Sequence, residues 1–354
     1  MKISLAMIAK NEEEVLTECI NSVKDIVDEV VLVDTGSEDN TMSIAKEMGV
    51  KLYEFKWQDD FSLARNFAAE KCSGDWILVL DADEIVEFGS RETLIEFATN
   101  NPNSIGKIEI YSKFMDGNEI NFSKEYVSRF YPKGILYKGG IHEQLETNRC
   151  RINMEFKVNH SGYFKRDKSE RNLRLLLKES ENNPTDHYIL YQIARTLHVA
   201  KRYLEADEYF EKYYKLTKGE YAYTRNFITL YIYNTLNTEK FSVGLSIIEE
   251  YREKYFNNTD FNFACGIFYM NLILSDVSSY GQHLYLIEKS YLRCLEIGED
   301  LEDTVVGLGT FKAAYNLGVY YETTGDIDNA LYYYNLSATY GYRLAIERID
   351  NIDV

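Results

Sequence analysis

Two aspartates one residue apart, Asp81 and Asp83, stand directly after the apolar run LVL at residues 78–80, and Glu84 follows them. Carboxylates are costly to bury unless they are paired or bind a cation. Hard divalent cations such as Mg2+ and Mn2+ prefer oxygen ligands, often one or two carboxylates completed by phosphates. The pattern therefore predicts a cation site at the end of a strand.

Strand and helix patterns alternate over the first hundred residues, which predicts a mostly parallel sheet with helices on both faces. The predicted strands cover residues 2–9, 29–34, 50–55 and 75–81, and the predicted helices cover residues 12–26 and 41–49. Ligands of such sheets bind beyond the carboxyl ends of the strands. The polar residues expected to converge at that edge are Lys10 to Glu12, Asp34 to Ser37, Trp57 to Phe61, and Asp81 to Asp83.

Five stretches follow one another in order: AMIAKNEE at 6–13, VDTGSEDNT at 33–41, FSLARNFA at 61–68, GDWILVLDADE at 74–84 and GGIHEQL at 139–145. In them the chain resembles the family 2 glycosyltransferases. The resemblance covers residues 1–160 and implies a GT-A fold, an α/β Rossmann-like domain with a mostly parallel sheet. It also implies transfer of a sugar from a UDP-sugar.

The resemblance implies a role for each motif. Asp34 would accept hydrogen bonds from the uracil or ribose, which suits an acceptor-only carboxylate. Arg65 would reach the nucleotide or its phosphates; its alternative is a surface ion pair with Asp59 or Asp60. The nucleotide-sugar-binding residues implied in this way are Asp34, Arg65, Asn66, Asp81, Ala9 and Asn11.

The DAD sequence would provide the metal site. In the family the second carboxylate, here Asp83, holds Mg2+ or Mn2+, while the first, Asp81, faces the sugar or ribose; both are candidate ligands. Alternation along a strand predicts that the two aspartates point to the same side.

GGIHEQL is where the resemblance places a general base, because the family is associated with inversion by direct displacement. Glu143 is the first candidate for taking the acceptor's proton, and His142 is the second, or a metal or phosphate contact. The motif departs from the better-known Glu-Asp form, so the division of roles between them stays open. His160 is a further candidate for contacting the leaving diphosphate, with a structural role as its alternative.

Beyond residue 165 the sequence predicts long, tyrosine-rich helices. The segment at 186–345 resembles tetratricopeptide repeats, and four irregular units are expected. The linker-like ENNPTDHY at 181–188 places the domain boundary between 182 and 183, which gives a GT-A domain at 1–182 and an all-α repeat domain at 183–354. The residues with the repeat spacing are Ile193, Ala194, Ala206 and Phe210, then Leu317, Gly318, Ala330 and Tyr334, with Gly244 and Ile248 in a degenerate unit.

A short catalytic domain joined to such repeats is similar to peptide glycosyltransferases, including those that modify cysteines of bacteriocin peptides. This favours a peptide or protein acceptor docked in the repeat groove. The alternatives are an enzyme that builds lipopolysaccharide or another surface glycan, repeats that serve packing or homodimerisation, and an inactive repeat scaffold. A phosphatase of the haloacid dehalogenase type is disfavoured, because its D-x-D normally lies at the first strand.

Composition excludes several other classes. The net charge of −18 disfavours nucleic-acid binding. Five dispersed cysteines without a CxxC pair favour a reducing compartment over a disulfide framework or a zinc site. The absence of a secretory or membrane-spanning pattern predicts a cytoplasmic protein.

Overall fold

The computed structural model describes residues 1–116, 119–160, 169–216, 221, 223–300, 302 and 304–352. The chain divides into two compact units, Met1–Lys168 and Ser169–Val354. No helix in these described ranges is long and apolar enough to cross a membrane.

The first unit is an α/β unit. Its helices are α1 (Leu16–Val23), α2 (Thr41–Glu47), α3 (Phe61–Lys71) and α4 (Arg91–Asn100). Its strands are β1 (Ile3–Ala9), β2 (Glu29–Asp34), β3 (Lys51–Glu54), β4 (Trp76–Val79), β5 (Glu84–Phe88), β6 (Ile105–Asp116), β7 (Glu119–Pro132), β8 (Tyr137–Lys138), β9 (Gln144–Leu145) and β10 (Arg151–His160).

The main sheet of this unit runs in the order β3-β2-β1-β4-β7-β6-β10-β5, and β8 pairs with β9 separately. The pairs among β1, β2, β3 and β4 are parallel, as the alternating pattern predicts. β7 then lies antiparallel between β4 and β6. The sheet is therefore parallel where the predicted ligand edge lies and mixed beyond it.

Helices cover both faces of the sheet. On one face, Leu16 and Ile20 of α1 and Leu94 of α4 pack with Leu5 and Leu78. On the other face, the alanines of α3 pack against side chains such as Val31 and Val79. Because both faces of the central strands are buried, their sequences are continuously apolar.

The second unit is helical, as expected. It contains α5 (Ser169–Asn182), α6 (His187–Val199), α7 (Tyr203–Leu216), α8 (Thr224–Asn237), α9 (Phe241–Tyr251), α10 (Thr259–Ser275), α11 (Val277–Tyr280), a 3-10 turn (Gly281–His283), α12 (Leu284–Ile297), β11 (Thr304–Val305), α13 (Phe311–Thr324), α14 (Ile327–Ala338) and α15 (Arg343–Asn351).

Four helix pairs give the repeat architecture: α6 with α7, α8 with α9, α10 with α12, and α13 with α14. A Cβ on Gly318 would collide with the ring of Tyr334, so the predicted small and aromatic residues do meet where two helices approach. In the third pair, α11 and the 3-10 turn separate the partners, which accounts for its longer spacing.

The structure places the boundary earlier than the sequence does, at Lys168 rather than after residue 182. α5 buries Leu173, Leu175 and Leu176 within the second unit and packs against α6. The segment around Pro184 is therefore a connection between two helices of that unit, and Asp186 begins α6 by accepting bonds from the amides of Tyr188 and Ile189.

Candidate active site

The carboxyl ends of β1 and β2 are tied together side by side. Ala9 is paired with Asp34 in register, and the Ala9 carbonyl accepts hydrogen bonds from the amide and hydroxyl of Thr35 at 2.9 and 3.1 Å. Asn11, with a left-handed φ of 56°, donates its amide to Ser37 Oγ and accepts from the Glu38 amide. Ala9 and Asn11 therefore hold the loop that carries Asp34.

Asp34 is 2 % exposed, and its two oxygens have different surroundings. Oδ1 accepts hydrogen bonds from the amides of Gly36 and Ser37, both at 2.9 Å. Within the described part of the chain, Oδ2 is buried without a hydrogen-bond partner. A buried acceptor without a donor costs about 1–3 kcal/mol, so this oxygen fits the N–H or O–H of a nucleoside.

The DAD sequence forms a turn and not the end of a strand. β4 ends at Val79, and the Glu84 amide donates to the Asp81 carbonyl at 3.0 Å. The Asp81 amide in turn donates to Glu84 Oε2 at 2.8 Å. Strand alternation, on which the prediction of a common side for the two aspartates rested, therefore does not apply to them.

Two arginines hold the carboxylates of this turn. Arg65 Nη2, from α3, donates to Asp81 Oδ1 at 2.8 Å, and Arg129 Nη2, from β7, donates to Asp81 Oδ2 at 2.7 Å. Burial raises the pKa of Asp81, but the charges of Arg129 and Arg65 outweigh burial and hold that pKa well below its usual range. The alternative for Arg65, an ion pair with Asp59 or Asp60, is not what the structure has.

Glu84 is a further member of the site. It is 2 % exposed and accepts from Arg129 Nη2 at 2.8 Å. Burial raises the pKa of Glu84 to about 7, against the opposing charge of Arg129 and with the support of the charge of Asp81. Burial thus disfavours the charged form of Glu84, and the ion pair with Arg129 opposes that effect.

Asp83, within the same turn, is 5 % exposed. Its Oδ2 is 3.2 Å from His160 Nε2, and His160 Nδ1 is 3.3 Å from Ser112 Oγ. The hydrogen bond with Asp83 raises the pKa of His160, although burial opposes it. His160 is thereby brought to the predicted site as a neighbour of Asp83.

The carboxylates of this site fit a metal ion that is bound mainly through the phosphates of a nucleotide. The described residues contain no group of three or more His, Cys, Asp or Glu side chains arranged to hold a metal. A site of one or two carboxylates completed by phosphates needs no such group. Both oxygens of Asp81 already meet arginines, so Asp83 is better suited than Asp81 to contact a cation directly.

The GGIHEQL loop brings the two predicted bases to this edge. Glu143 Oε1 accepts a short hydrogen bond from Arg65 Nε. His142 has a left-handed φ of 52°, a conformation that a non-glycine residue adopts at a cost of about 1–3 kcal/mol. The Phe61 amide donates to the Gly140 carbonyl at 2.8 Å, which joins this loop to the start of α3.

Asn66 forms hydrogen bonds with the backbone of Tyr137. Its Nδ2 donates to the Tyr137 carbonyl at 2.9 Å, and its Oδ1 accepts from the Tyr137 amide at 2.7 Å. These bonds anchor β8 to α3, and the binding of a nucleotide by Asn66 stays a prediction.

Sequence reasoning missed Arg129 and Glu84 as site residues. A charged residue inside the strand sequence VSRFY at 127–131 was the available signal for Arg129, and the third acid of DADE was the signal for Glu84. Neither signal indicates which residue the charged side chain would contact.

A cavity of about 560 Å3 lies along α3 beside this edge. Its lining includes Phe55, Leu63, Phe67, Ile135 and Leu136. Asp34, Asp81 and Asp83 do not line it, so this cavity is separate from the convergence of carboxylates.

Comparisons with known proteins agree with this architecture. Residues 4–173 match the family described as Glycosyl transferase family 2. The glycosyltransferase SunS of Bacillus subtilis is 27 % identical over 234 residues, which are 59 % of this chain and 52 % of that protein. A TPR repeat-containing protein of Synechococcus elongatus is 57 % identical over 83 residues, which are 23 % of this chain and 21 % of that protein. The chain thus spans about half or less of the length of these relatives.

Two solved structures are similar in part. The TPR protein YrrB is 18 % identical with a TM-score of 0.40, over 52 % of this chain and 84 % of that one. Glucosyl-3-phosphoglycerate synthase of Mycobacterium tuberculosis, solved with Mn2+ and UDP-glucose, is 21 % identical with a TM-score of 0.26, over 33 % of this chain and 44 % of that one. Residues 4–173, which nearly coincide with the α/β unit, thus match glycosyltransferase family 2, and tetratricopeptide-like helical repeats follow them in the same chain.

Proposed function

We propose that this glycosyltransferase is metal-dependent and inverting, and that it moves a sugar from a UDP-sugar to a peptide or protein side chain docked by the helical repeats. The observation that supports the donor half is that Asp34, with its unpaired buried oxygen, and the Asp81–Glu84 turn follow β2 and β4, the two strands that flank β1 in the parallel part of the sheet. An acceptor for a nucleoside thus lies at the same edge of the sheet as the acidic turn, one strand removed from it.

Different residues at this edge would contact different parts of the UDP-sugar. Asp34 accepts hydrogen bonds from the uracil or ribose, on a loop that Ala9 and Asn11 hold in place. Asp83, with Asp81 as the second candidate, would hold Mg2+ or Mn2+. When bound, the ion offsets negative charge on the departing diphosphate. Arg65 and Arg129 keep Asp81 ionised and fixed.

Glu143 or His142 takes the proton of the acceptor. Direct displacement requires a base beside the attacking atom, and both candidates lie on the loop joined to α3. Arg65 orients the Glu143 carboxylate through its Nε, which leaves Oε2 as the oxygen directed to the acceptor.

The acceptor assignment has separate support. The partial similarity to the SunS glycosyltransferase and the resemblance to peptide glycosyltransferases favour a peptide. Stacked helix pairs present an extended concave surface, which is suited to a segment of chain. Synthesis of lipopolysaccharide or another surface glycan is the second candidate, and an inactive scaffold is the third.

Calorimetric titration of the full chain with UDP, with and without Mn2+, tests the donor half. We expect binding that Mn2+ strengthens, and Asp34→Ala should weaken it about tenfold, the loss of one or two good hydrogen bonds. Metal-independent binding would contradict the metal assignment. No binding under either condition would favour the hypothesis of an inactive repeat scaffold.

A donor panel scored by UDP release, first with water and then with acceptors, tests the other half. Cysteine-containing and serine-containing peptides are compared with lipid-linked glycans at equal concentration. Stimulation by peptides supports the proposed acceptor, whereas stimulation by the glycans alone would move the assignment to the second candidate.

A further inference from the structure

We propose that Arg129 is a positioning residue for the donor site: it bridges Asp81 and Glu84 and so fixes the acidic turn in the conformation that presents Asp83 to a diphosphate and its cation. This inference rests on the proposed donor for its functional part. Its structural part concerns the turn itself and can be measured without any ligand.

Arg129 lies on β7, next to the end of the neighbouring strand β4. In the β4–β7 register, Leu78 is paired with Phe130, and β4 ends one residue later at Val79. β7, which is antiparallel to β4, extends past the end of β4 through its lower-numbered residues. Arg129 is therefore the first β7 residue beyond the paired segment. The longer strand β7 thus supplies the Arg129 side chain to the turn that follows β4.

The bridge closes a ring of hydrogen bonds. Arg129 Nη2 donates to Asp81 Oδ2 at 2.7 Å and to Glu84 Oε1 at 2.8 Å. Glu84 Oε2 accepts from the Asp81 amide at 2.8 Å, and the Glu84 amide donates to the Asp81 carbonyl at 3.0 Å. One guanidinium nitrogen therefore joins the two ends of the turn, and Asp83 lies between them.

The two arginines of the site are not equivalent. Arg65 also reaches Asp81 but extends to Glu143, on a different loop. Asp81 therefore keeps a cation when Arg129 is removed, whereas Glu84 loses the ion pair that this structure gives it. The specific consequence of losing Arg129 is that the Glu84 side chain keeps its hydrogen bond with the Asp81 amide but loses its cation.

Burial makes this arrangement rigid. Arg129 is 8 % exposed and Glu84 is 2 % exposed, so neither charge can turn to solvent without opening the sheet. Within the described residues, Arg129 Nε is buried without an acceptor, which shows that the fold keeps the guanidinium here at some cost. A site that must hold a carboxylate within a fraction of an ångström needs such support.

Arg129→Gln and Arg129→Lys test the proposal, with Arg91→Gln as the matched control. Arg91 lies in the same unit but away from the acidic turn. Its Nη2 donates to both carboxylate oxygens of Asp28 at 2.9 Å. We expect Arg129→Gln to weaken UDP binding in the presence of Mn2+ by about 10- to 100-fold, the usual effect of removing a group that orients a ligand side chain. Arg129→Lys should recover part of the loss, and Arg91→Gln should bind as wild type does.

Hydrogen exchange of the ligand-free proteins supplies the readout that does not depend on the donor. In Arg129→Gln the amides of Asp81 and Glu84 should exchange at least about tenfold faster, because both lie in the ring that the substitution opens. Unchanged exchange and unchanged UDP affinity in a folded Arg129→Gln variant would overturn the proposal. Faster exchange in a protein whose wild type binds no UDP would refute the proposed donor but keep the positioning of the turn.

If Arg129→Gln does not fold, the double variant Glu84→Gln with Arg129→Gln removes both buried charges together. Replacing a buried ion pair by neutral groups of similar volume is far less harmful than removing one partner. We expect this variant to fold but to keep the fast exchange of the Asp81 amide and the weak UDP binding. Full recovery of both by the neutral pair would show that Arg129 only balances charge, and would overturn the positioning role.

Discussion

Replacing Arg65 with methionine should destabilise the first unit strongly, because one guanidinium serves two carboxylates. Arg65 Nη2 meets Asp81 Oδ1 at 2.8 Å, and Nε meets Glu143. The arginine side chain is 10 % exposed, and that of Glu143 is 12 % exposed. Methionine keeps the aliphatic stem but leaves Glu143 without its cation.

Removing one partner of a buried ion pair costs about 3–5 kcal/mol, because the other charge stays buried. Asp81 keeps Arg129, so we expect the lower end, about 3 kcal/mol off the free energy of unfolding. The matched control is Arg91→Met, which breaks a pair with Asp28 whose side chains are 30 % and 32 % exposed. Exposed pairs of this kind contribute about 1 kcal/mol or less.

Urea unfolding followed by tryptophan fluorescence measures this difference. The chain has two tryptophans, Trp57 and Trp76, and both lie in the first unit, so the signal reports that unit. A loss in Arg65→Met no larger than that in Arg91→Met would refute the reasoning, because it would mean that the Arg65 ion pairs are effectively solvated.

Three further predictions concern other parts of the chain. Asp83→Asn should abolish sugar transfer and the Mn2+ dependence of UDP binding while leaving the protein folded, and full activity would remove the metal assignment. Gly318→Ala should destabilise the second unit by about 1–3 kcal/mol, because the added Cβ meets the Tyr334 ring, whereas Gly281→Ala, whose Cβ would meet only Val277 Cγ1 at 4.0 Å, should not; circular dichroism at 222 nm during unfolding compares them. Burial raises the pKa of Asp260 to about 6, against hydrogen bonds that lower it. The folded protein therefore binds more protons than the unfolded chain between about pH 4 and pH 6, so stability should fall as pH rises through that range. Asp260→Asn should reduce this slope in the unfolding of the second unit, and a slope equal to that of the wild type would contradict the assignment.

Most of the architecture could be predicted from local pattern. The alternation of short apolar runs with helical periods indicated the parallel strands β1 to β4, and the order of those strands placed Asp34 and the DAD turn at one edge. The spacing of small and aromatic residues indicated the helix pairs, down to the contact of Gly318 with Tyr334. These features depend on neighbours in sequence, and so periodicity records them.

The partners of the site residues could not be predicted in this way. The Arg65–Glu143 pair joins residues 78 apart, and the Arg129–Glu84 pair joins residues 45 apart. Nothing in one segment specifies which distant carboxylate an arginine will meet. The backbone contact of Asn66 was not foreseen for the same reason, because its partner belongs to a strand 71 residues away.

The sequence by itself determined the fold class, the order of the first four strands and the chemical types of the candidate site, because these follow from hydrophobic period and motif order. The tertiary structure alone decided that residues 81–84 form a turn, that β7 extends past β4 to bring Arg129 to it, and that α5 belongs with the repeats. Those outcomes depend on where strands of different length end beside one another and on which unit buries a helix face, and both are properties of packing between distant segments.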